Sequence, residues 1–504
     1  MCGIVGFISD KSFSEKDISS TIKDMSLELS HRGPDNAGFW IDNKNNIALG
    51  HTRLSILDLS SSGEQPMLSP NERFVMVFNG EIYNHLILRK KVIDDANNKK
   101  YKIFWNGTSD TETLLVCFEI WGIEKTIERL VGMFSICLYD RNDNQIYLVR
   151  DRLGEKPLYY GYVNKTFVFA SELKAIKRFP KFDNKIDKNA LKKYFQYMYV
   201  PAPYSIYKNI FKLEPGKILS ISINKIRKNN LAKELVNNIT PYWSLQDKVK
   251  EDNKLLIKED KIFEQLEDCL DEAIKLQSIA DVPLGAFLSG GIDSSLITAL
   301  MQKNSSRPIK TFTIGFEDPS YDESPFAKKV ANHLGTEHSE IHVSSSDARE
   351  VIPNLPNIYD EPFADSSQIP TFLVCKAAAR EVKVALSGDA GDEIFGGYNR
   401  YFWAPRLWNK VSWIPFPIRF FLGYSLDSVS LNNWNRLEGL FNASGSRNYT
   451  NLGNKAGKLG NGLINSKNID DLYLSLISEW DNPDDIVLGG DEEIITPFLN
   501  PASS

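Results

Sequence analysis

Cys2 is the first candidate for chemistry, because it follows the initiating methionine directly and precedes Gly3. Removal of Met1 would leave one residue that carries both a thiol and a free α-amino group. An α-amino group has a pKa of about 7.7–8.0, so it can accept the thiol proton near neutral pH. The position of Cys2 therefore predicts that it is an N-terminal nucleophile, which needs no separate histidine as its base. The alternative from position alone is that the cysteine is an accident of sequence.

Four short motifs follow Cys2 in order: HRGPD at 31–35, HTRLS at 51–55, NGEIYN at 79–84 and SDTE at 109–112. The first also fits a turn with a structural ion pair, and we do not interpret its histidine as catalytic. Together with Cys2, the four motifs resemble the class of glutamine amidotransferases with an N-terminal cysteine. This resemblance covers nearly the whole first domain.

The resemblance implies a role for each polar residue of these motifs. Arg53 binds the α-carboxylate of glutamine, a task that suits the planar guanidinium. Glu81 and Asp110 hold the α-ammonium group. Asn79, together with the backbone N–H of Gly80, contacts the substrate and forms an oxyanion hole for the negative charge that builds up on the amide oxygen.

A second candidate site is the segment SGGIDSS at 289–295, which stands between an apolar strand and the start of a helix. Its two glycines allow the backbone to approach a phosphate closely, and the helix N-terminus directs N–H groups at it. The lysine of a Walker loop is missing, which disfavours simple transfer of the terminal phosphate. Alone, such a loop is also compatible with a turn.

A third motif, LSGDAGDEIFGGY at 386–398, follows downstream. The two loops in this order resemble asparagine synthetases, in which an ATP-pyrophosphatase domain activates a carboxylate. By this resemblance the ATP contacts are Leu288, Ser289, Gly290, Gly291, Asp293, Ser294, Ser295, Ile314, Ser387 and Gly388. Asp293 and Asp392 coordinate Mg²⁺, since carboxylate oxygens are the ligands of a hard cation. Asp389 stands at the acidic position linked to adenylate formation. Asp392 also fits a helix-capping acidic residue.

The elements that must position these residues fall into two kinds. Up to about residue 190 the sequence predicts short strands with turns, and the resemblance implies an N-terminal-nucleophile sandwich of two antiparallel sheets between helices. The segment 191–255 is aromatic and proline-containing, so we predict a packed connector. In 256–504 strand-like runs alternate with helical segments, which predicts an α/β nucleotide-binding domain with a parallel sheet. The Asn- and Gly-rich segment 442–468 predicts loops or partial disorder.

Composition excludes several classes of protein. The chain has 504 residues, a net charge of −6 and five scattered cysteines. The mild negative charge gives no reason to bind nucleic acid or anionic lipid, and no apolar run reaches the about 20 residues of a membrane helix. The cysteine spacing fits neither a zinc site nor a disulfide framework. Without a signal peptide, we predict a cytoplasmic protein.

The resemblance implies a complete reaction. Glutamine, hydrolysed through a Cys2 glutamyl thioester, supplies ammonia, and ATP converts aspartate to a β-aspartyl-adenylate with release of pyrophosphate. Ammonia then displaces AMP and gives asparagine. The expected cofactors are ATP and Mg²⁺, the partners are small-molecule substrates, and a homodimer is compatible with the resemblance.

Three alternatives stay open at this point. The first is amidation of another carboxylate, for example a sugar acid of a surface polysaccharide. The second is a regulatory relative, which the intact candidate residues disfavour. The third is a protein that works only as a glutaminase. It fits the lack, after Tyr401, of the family's Lys-x-Asp-Arg-like and Arg-x-Pro-x-Leu-Asp-like stretches. On this hypothesis the synthetase domain is shortened at its C-terminus and ammonia-dependent synthesis is weak or absent.

Overall fold

The computed structural model describes residues 1–9, 13–98, 102–228, 235–252, 259–430, 433, 434, 436, 438, 452–480 and 482–490. The chain forms two compact units. The first comprises Met1–Ala190 and Val200–Gly388, and the second comprises Leu191–Tyr199 and Asp389–Ser504. Within the described ranges, no helix is long and apolar enough to cross a membrane.

Two antiparallel sheets of six strands each dominate the N-terminal part of the first unit. One contains β1 (Gly3–Ile8), β2 (Asn36–Asp42), β3 (Ile47–Arg53), β8 (Tyr159–Val163), β9 (Thr166–Ala170) and β10 (Ile210–Lys212). The other contains β4 (Met67–Leu68), β5 (Phe74–Ile82), β6 (Gly132–Asp140), β7 (Gln145–Arg150), β11 (Lys217–Ser222) and β12 (Ile239–Pro241). Their orders are β10-β8-β9-β1-β3-β2 and β12-β11-β7-β6-β5-β4. The prediction of two antiparallel sheets is confirmed, and the segment 191–255 supplies an edge region to both.

The core of this part lies on both faces of the second sheet, because successive residues of a strand point to opposite faces. On β5, Val75 and Val77 pack towards the first sheet in one apolar cluster, whereas Phe74, Met76 and Phe78 pack in another cluster with helical residues. The helices of this part are Glu15–Leu27, His85–Asn98, Asp110–Trp121, Ile123–Arg129, Leu173–Lys177, Ile223–Lys228 and Leu245–Asp252. The helix Lys188–Tyr197 belongs mostly to the second unit. Both faces of β5 are therefore covered, which fixes the residues at its end.

A parallel sheet of four strands forms the rest of the first unit: β13 (Leu284–Phe287), β14 (Lys310–Phe316), β15 (Glu337–Val343) and β16 (Val384–Leu386). Its helices are Glu259–Gln277, Ile292–Asn304, Ser324–Leu334, Ser345–Val351, Leu355–Ile358 and Gln368–Ala378. The strand order is β15-β14-β13-β16. The predicted parallel sheet is thus confirmed. Because the chain returns to place β16 on the free side of β13, the order reverses between these two strands.

Helices make up the described part of the second unit: Gly391–Phe395, Asn399–Val411, Phe416–Asp427, Leu452–Asn465 and Ile469–Ile477. The prediction of loops over 442–468 is wrong for the part that forms the helix Leu452–Asn465, while 442–451 lie outside the described residues. Glycine permits this helix to pack closely. A Cβ added at Gly423 would lie 2.6 Å from the carbonyl oxygen of Gly460.

Candidate active sites

Cys2 lies immediately before β1, at the point where this strand pairs with β3 through Gly3 and Thr52. The backbone N–H of Leu54 donates to Cys2 Sγ at 3.4 Å, and the thiol points back to Leu54 O at 3.6 Å. Burial raises the pKa of the Cys2 thiol, while the hydrogen bond with Leu54 and the charge of the N-terminal amine act against this shift. The pairing of two strands therefore holds the sulfur in place, and a nearby base is needed to ionise it.

The N-terminal amine is a candidate for this base. Burial lowers the pKa of the Met1 amine to about 6, although the ionised Cys2 opposes this shift, and the positive charges of Arg32 and Lys156 lower it further. An amine with this pKa is mostly neutral at pH 7 and can accept a proton. This environment would act on the amine of Cys2 in the same direction once Met1 is removed.

The candidate glutaminase residues Arg53, Gly80, Glu81 and Asp110 line one pocket together with Cys2. They are contributed by the ends of β1, β3 and β5 and by the first residue of the helix Asp110–Trp121. The other lining residues are Leu54, Ile56, Leu57, Gly63, Gln65, Phe78, Ser109 and Thr111. The two sheets thus bring together residues from three distant motifs of the sequence.

Two carboxyl groups line this pocket, those of the buried Asp110 and the half-buried Glu81. Ser109 caps the helix Asp110–Trp121 by accepting from Glu112 N–H at 3.2 Å, and Asp110 Oδ2 accepts from Ile82 N–H at 2.9 Å. Burial raises the pKa of Asp110, and burial followed by repulsion from Asp110 raises that of Glu81. A cationic ligand would relieve both effects, so the pair is suited to an ammonium group.

Asn79 and Glu81 have buried side-chain atoms without a hydrogen-bond partner in the described part of the chain. Asn79 is 0% exposed, and within the described part of the chain neither its Nδ2 nor its Oδ1 has a hydrogen-bond partner, nor does Glu81 Oε2. Leaving a buried polar group unpaired costs roughly 1–3 kcal/mol. Such groups are rare in folded proteins and call for an explanation. A polar ligand in the pocket would reach Glu81, which lines it, whereas the fully buried Asn79 is not among the lining residues.

Arg53 is buried at the end of β3, where it is 6% exposed. One Nη donates to Ser60 O at 2.7 Å and the other donates to Asp58 O. A guanidinium has five N–H donors, so these contacts fix its position and leave others for a ligand. The loop that follows β3 therefore holds Arg53 at the pocket wall.

The HRGPD motif contributes a contact that the sequence did not reveal. Arg32 Nε donates to the carbonyl oxygen of Cys2 at 2.9 Å, and its Nη1 lies 2.6 Å from Glu172 Oε1. His31 also contacts Glu172, at 3.1 Å. Burial opposes ionisation of Glu172, but the His31 hydrogen bond and the charges of Arg32 and Lys174 outweigh it and lower the pKa to about 2. Glu172 is 140 residues from Arg32 in the chain, so no local pattern could predict the pair.

The second candidate site lies at the carboxyl edge of the parallel sheet, where the strand order reverses. Open α/β sheets bind ligands in the crevice at such a point. The segment 289–295 follows β13 there, and Ser387 and Gly388 follow β16. A Cβ at Gly388 would lie 2.8 Å from Ser294 N, so the two strand ends meet.

The loop 289–295 is shaped by its glycines and serines. Gly290 has φ +83°, and a Cβ there would approach Ala327 N to 2.7 Å. Ser289 Oγ accepts from Gly291 N–H at 3.2 Å and lies 2.9 Å from Ser294 Oγ. The loop thereby turns into the helix Ile292–Asn304, whose N-terminus presents free N–H groups to an anion.

Three further candidate residues lie around this loop. Ser295 Oγ is buried and has no hydrogen-bond partner among the residues that the structure describes. Leu288 is 1% exposed and its N–H donates to Phe312 O at 2.9 Å, which ties the start of the loop to β14. Ile314 lies on β14 in register with Ile341 of β15. The loop therefore carries one unsatisfied hydroxyl beside apolar residues.

Asp389 and Asp392 belong to the second unit. Asp389 is exposed, and Asp392 lies half-buried in the first turn of the helix Gly391–Phe395. Gly397 packs against Asp392 so closely that a Cβ there would lie 1.9 Å from its Oδ1. In the described ranges, no group of three or more His, Cys, Asp or Glu side chains could hold a metal ion. These two aspartates are therefore candidate ligands that need oxygens from elsewhere.

A cysteine nucleophile in a buried pocket with a sandwich fold, followed by a parallel sheet with a phosphate-type loop, defines a class of protein: the amide-forming ligases that take their nitrogen from glutamine. Comparison with known families narrows this class. Residues 1–232 match the glutamine amidotransferase domain, and residues 265–492 match the asparagine synthase domain. The chain belongs to the family of glutamine-hydrolysing asparagine synthetases.

Two curated relatives illustrate the similarity. Putative glutamine-hydrolysing asparagine synthetase 2 of Methanocaldococcus jannaschii is 39% identical over 420 residues, which cover 79% of this chain and 76% of that protein. Glutamine-hydrolysing asparagine synthetase 1 of Bacillus subtilis is 35% identical over 402 residues, which cover 80% of this chain and 59% of that protein. The chain thus spans only part of the length of these relatives. A solved structure of glutamine phosphoribosylpyrophosphate amidotransferase from Bacillus subtilis is 15% identical in sequence and has a TM-score of 0.33. The match covers 67% of this chain and 65% of that protein.

Proposed function

We propose that this chain transfers the amide nitrogen of glutamine to the side-chain carboxylate of aspartate, with consumption of ATP. The observation that carries the proposal is the pocket at Cys2. There a nucleophile, a buried guanidinium and the carboxyl groups of Glu81 and Asp110 line the same small space, and the buried Asn79 precedes the lining residue Gly80. These are the groups needed to bind the two ends of an amino acid and to break its side-chain amide.

In the glutaminase reaction, the free amine of Cys2 takes the thiol proton and Sγ attacks the amide carbon of glutamine. Negative charge develops on the amide oxygen, where Asn79 Nδ2 and the Gly80 N–H donate hydrogen bonds. Collapse of this intermediate expels ammonia and leaves a glutamyl thioester. Water then cleaves the thioester and releases glutamate. Throughout, Arg53 binds the α-carboxylate, and Glu81 with Asp110 binds the α-ammonium.

In the synthetase reaction, an oxygen of the aspartate carboxylate attacks the α-phosphorus of ATP, and pyrophosphate leaves. Ammonia attacks the resulting acyl carbon and expels AMP. The loop 289–295 and Ser387–Gly388 would hold the phosphates through backbone N–H groups and hydroxyls, with Ser295 Oγ as an available donor. The apolar residues Leu288 and Ile314 are suited to contact adenine. We assign Asp389 to the formation of the adenylate from its place in the motif.

Magnesium fits the ligands that the chain offers. Asp293, half-buried in the first turn of the helix Ile292–Asn304, presents a carboxylate beside the loop. In the second unit, Asp392 presents the same type of ligand. A lone carboxylate is a weak site, whereas a Mg²⁺ ion that arrives with a nucleotide keeps phosphate oxygens and water as its other ligands. When bound, Mg²⁺ offsets the charge that develops on the departing pyrophosphate.

The acceptor is tested by incubating the purified chain with glutamine, ATP, Mg²⁺ and a panel of carboxylates that includes aspartate, glutamate and sugar acids. The proposal predicts that AMP and pyrophosphate form with aspartate and that asparagine appears in equal amount. Formation of AMP with another acid but not with aspartate would overturn the assignment of the acceptor. Release of glutamate without any AMP would overturn the synthetase half.

A further inference from the structure

Two adjacent carboxylates, Asp360 and Glu361, lie at the contact between the α/β part and the sandwich part of the first unit. They follow the short helix Leu355–Ile358 and precede the helix Gln368–Ala378, which leads to β16 and the candidate phosphate edge. The side chains of Asp360 and Glu361 are 8% and 9% exposed, respectively. Both are thus buried acidic residues whose partners come from the other part of the unit.

Glu361 makes a local contact. Its Oε1 accepts from Ile206 N–H at 2.7 Å, its Oε2 accepts from Tyr159 Oη at 3.3 Å, and it pairs with the ammonium of Lys212. These partners lie on or beside β8 and β10. None of these contacts continues to the pocket at Cys2 through an ion pair that the structure describes.

Asp360 makes a contact that does continue. Its Oδ2 accepts from Lys174 N–H at 3.2 Å, and its Oδ1 lies 3.4 Å from Lys174 Nζ. The same ammonium lies 2.9 Å from Glu172 Oε2. Glu172 in turn binds Arg32, whose Nε donates to the carbonyl oxygen of Cys2. Two anions and two cations therefore alternate from the α/β part to the nucleophile.

The low solvent exposure of these four charged side chains strengthens the interactions between them. The side chains of Arg32 and Glu172 are 10% and 13% exposed, and that of Lys174 is 19% exposed. Charges in such surroundings are screened less by water and salt than charges at the surface. Removing one member leaves its neighbour incompletely paired, and the neighbour then adjusts its own contacts. A change at Asp360 is thereby passed to Glu172 and Arg32.

We propose that Asp360 is a positioning residue for the nucleophile, and that it acts on Cys2 through Lys174, Glu172 and Arg32. This inference rests on the proposed glutaminase role of Cys2. It assigns to the α/β part a direct influence on the rate of glutamine hydrolysis. A conformational change in the segment 360–388 that moves Asp360 therefore alters the hydrogen bond from Arg32 Nε to the carbonyl oxygen of Cys2.

The test compares Asp360→Asn with Glu361→Gln, which neutralises the adjacent carboxylate at the same contact. Both variants lose a buried ion pair and unfold at a lower temperature. Only Asp360→Asn lowers kcat for glutamate release, by about fivefold, a typical magnitude for coupling between sites. KM for glutamine stays unchanged, because Arg53, Glu81 and Asp110 are untouched. Equal kcat values in the two variants, or a change in KM alone, would overturn the proposal.

A double-mutant cycle tests the route. Lys174→Gln removes the cation between Asp360 and Glu172 and also lowers kcat. If Asp360 acts through Lys174, the variant with both changes is no slower than Lys174→Gln alone, because the two residues are links of one series. If the double variant instead loses kcat by the product of the two single fold-changes, the route through Lys174 is contradicted. If Asp360→Asn gives no folded protein, Lys174→Gln against Glu361→Gln makes the same comparison.

Alkylation of Cys2 by iodoacetamide separates this inference from the proposed function. Peptide mass spectrometry follows the Cys2 thiol alone, without the need for a functional assay. Loosening of the Cys2 backbone exposes a buried sulfur, so alkylation becomes faster in Asp360→Asn and stays at the wild-type rate in Glu361→Gln. Identical rates in all three proteins would overturn the inference, even if glutamine hydrolysis proceeds. Failure of the wild type to release glutamate overturns the proposed function instead.

Discussion

The pocket at Cys2 and the loop at 289–295 are built in opposite ways. The pocket collects groups from distant motifs, and Glu81 Oε2 at its wall has no partner in the described residues. The loop is one continuous segment, and its Ser289 and Ser294 already bond to each other and to the backbone. The pocket is thus preorganised for a small charged ligand at a cost in stability, whereas the loop is a half-exposed surface that depends on the nucleotide and its metal ion.

The largest effect is expected at the nucleophile. Cys2→Ala removes the sulfur that is proposed to form the thioester, so glutamate release and glutamine-driven synthesis are abolished. ATP binding is retained, since the loop 289–295 is built without Cys2. Glutamate assays and nucleotide titration measure the two properties, and normal glutamate release from the variant would refute the assignment. Retention of Met1, which mass spectrometry of the N-terminus detects, has the same effect as the substitution.

Asn79 tests whether the unpaired amide that precedes the lining residue Gly80 serves catalysis. Asn79→Leu preserves approximate size and removes the amide, so we expect kcat for glutamate release to fall by about 10²–10³-fold, the usual loss for an oxyanion-hole donor. The free energy of unfolding should not decrease, because the amide has no partner to lose in the described structure. A large loss of stability with activity preserved would show that Asn79 is a structural residue.

Asp293 tests whether the loop 289–295 serves the synthetase reaction. Asp293→Asn removes one negative metal ligand, so pyrophosphate release should slow at least about tenfold, or roughly 1.4 kcal/mol in the barrier. Glutamine hydrolysis should be largely preserved. Asp268→Asn, on the exposed surface of the helix Glu259–Gln277, serves as the control. Wild-type rates of AMP and pyrophosphate formation in Asp293→Asn would mean that the loop is only a turn.

The smallest effect concerns the stability of the pocket wall in acid. The pKa of Glu172 is about 2 in the folded chain and 4.5 as its ordinary value. The stabilisation is therefore fully present above pH 4.5 and is lost as the pH falls towards 2. Glu172→Gln should unfold with a weaker dependence on pH over this range, as measured by denaturant titration at several pH values. An unchanged acid dependence would show that Glu172 is not held by Arg32 and Lys174.

The sequence predicted those features that depend on local pattern. β-rich runs with turns indicated short strands in the N-terminal part, and the resemblance implied that they form two antiparallel sheets. The apolar runs at β13, β14 and β16 indicated the parallel sheet. The helix Leu452–Asn465 was missed, because its glycines and asparagines have low helix propensity and packing of Gly423 against Gly460 overrides it.

The contacts of the candidate sites were harder to predict. The resemblance of the motifs to glutamine amidotransferases assigned Arg53, Glu81 and Asp110 to one site, and the structure places all three at one pocket. The ion pair between Arg32 and Glu172 depends on tertiary structure, because 140 residues separate the two side chains in the chain. The same is true of the contact between Asp360 and Lys174, which joins the helix Leu173–Lys177 to a segment far along the chain. Such pairs follow from the fold and leave no signal in the order of residues.

Transfer of a labelled nitrogen tests the central claim most directly. The chain is incubated with ATP, Mg²⁺, aspartate and glutamine labelled with ¹⁵N in its amide, and asparagine is analysed by mass spectrometry. The account predicts asparagine that carries ¹⁵N in its side chain, with one AMP formed for each asparagine, and no labelled product from Cys2→Ala. Release of labelled ammonia without labelled asparagine, at saturating ATP and aspartate, would contradict it.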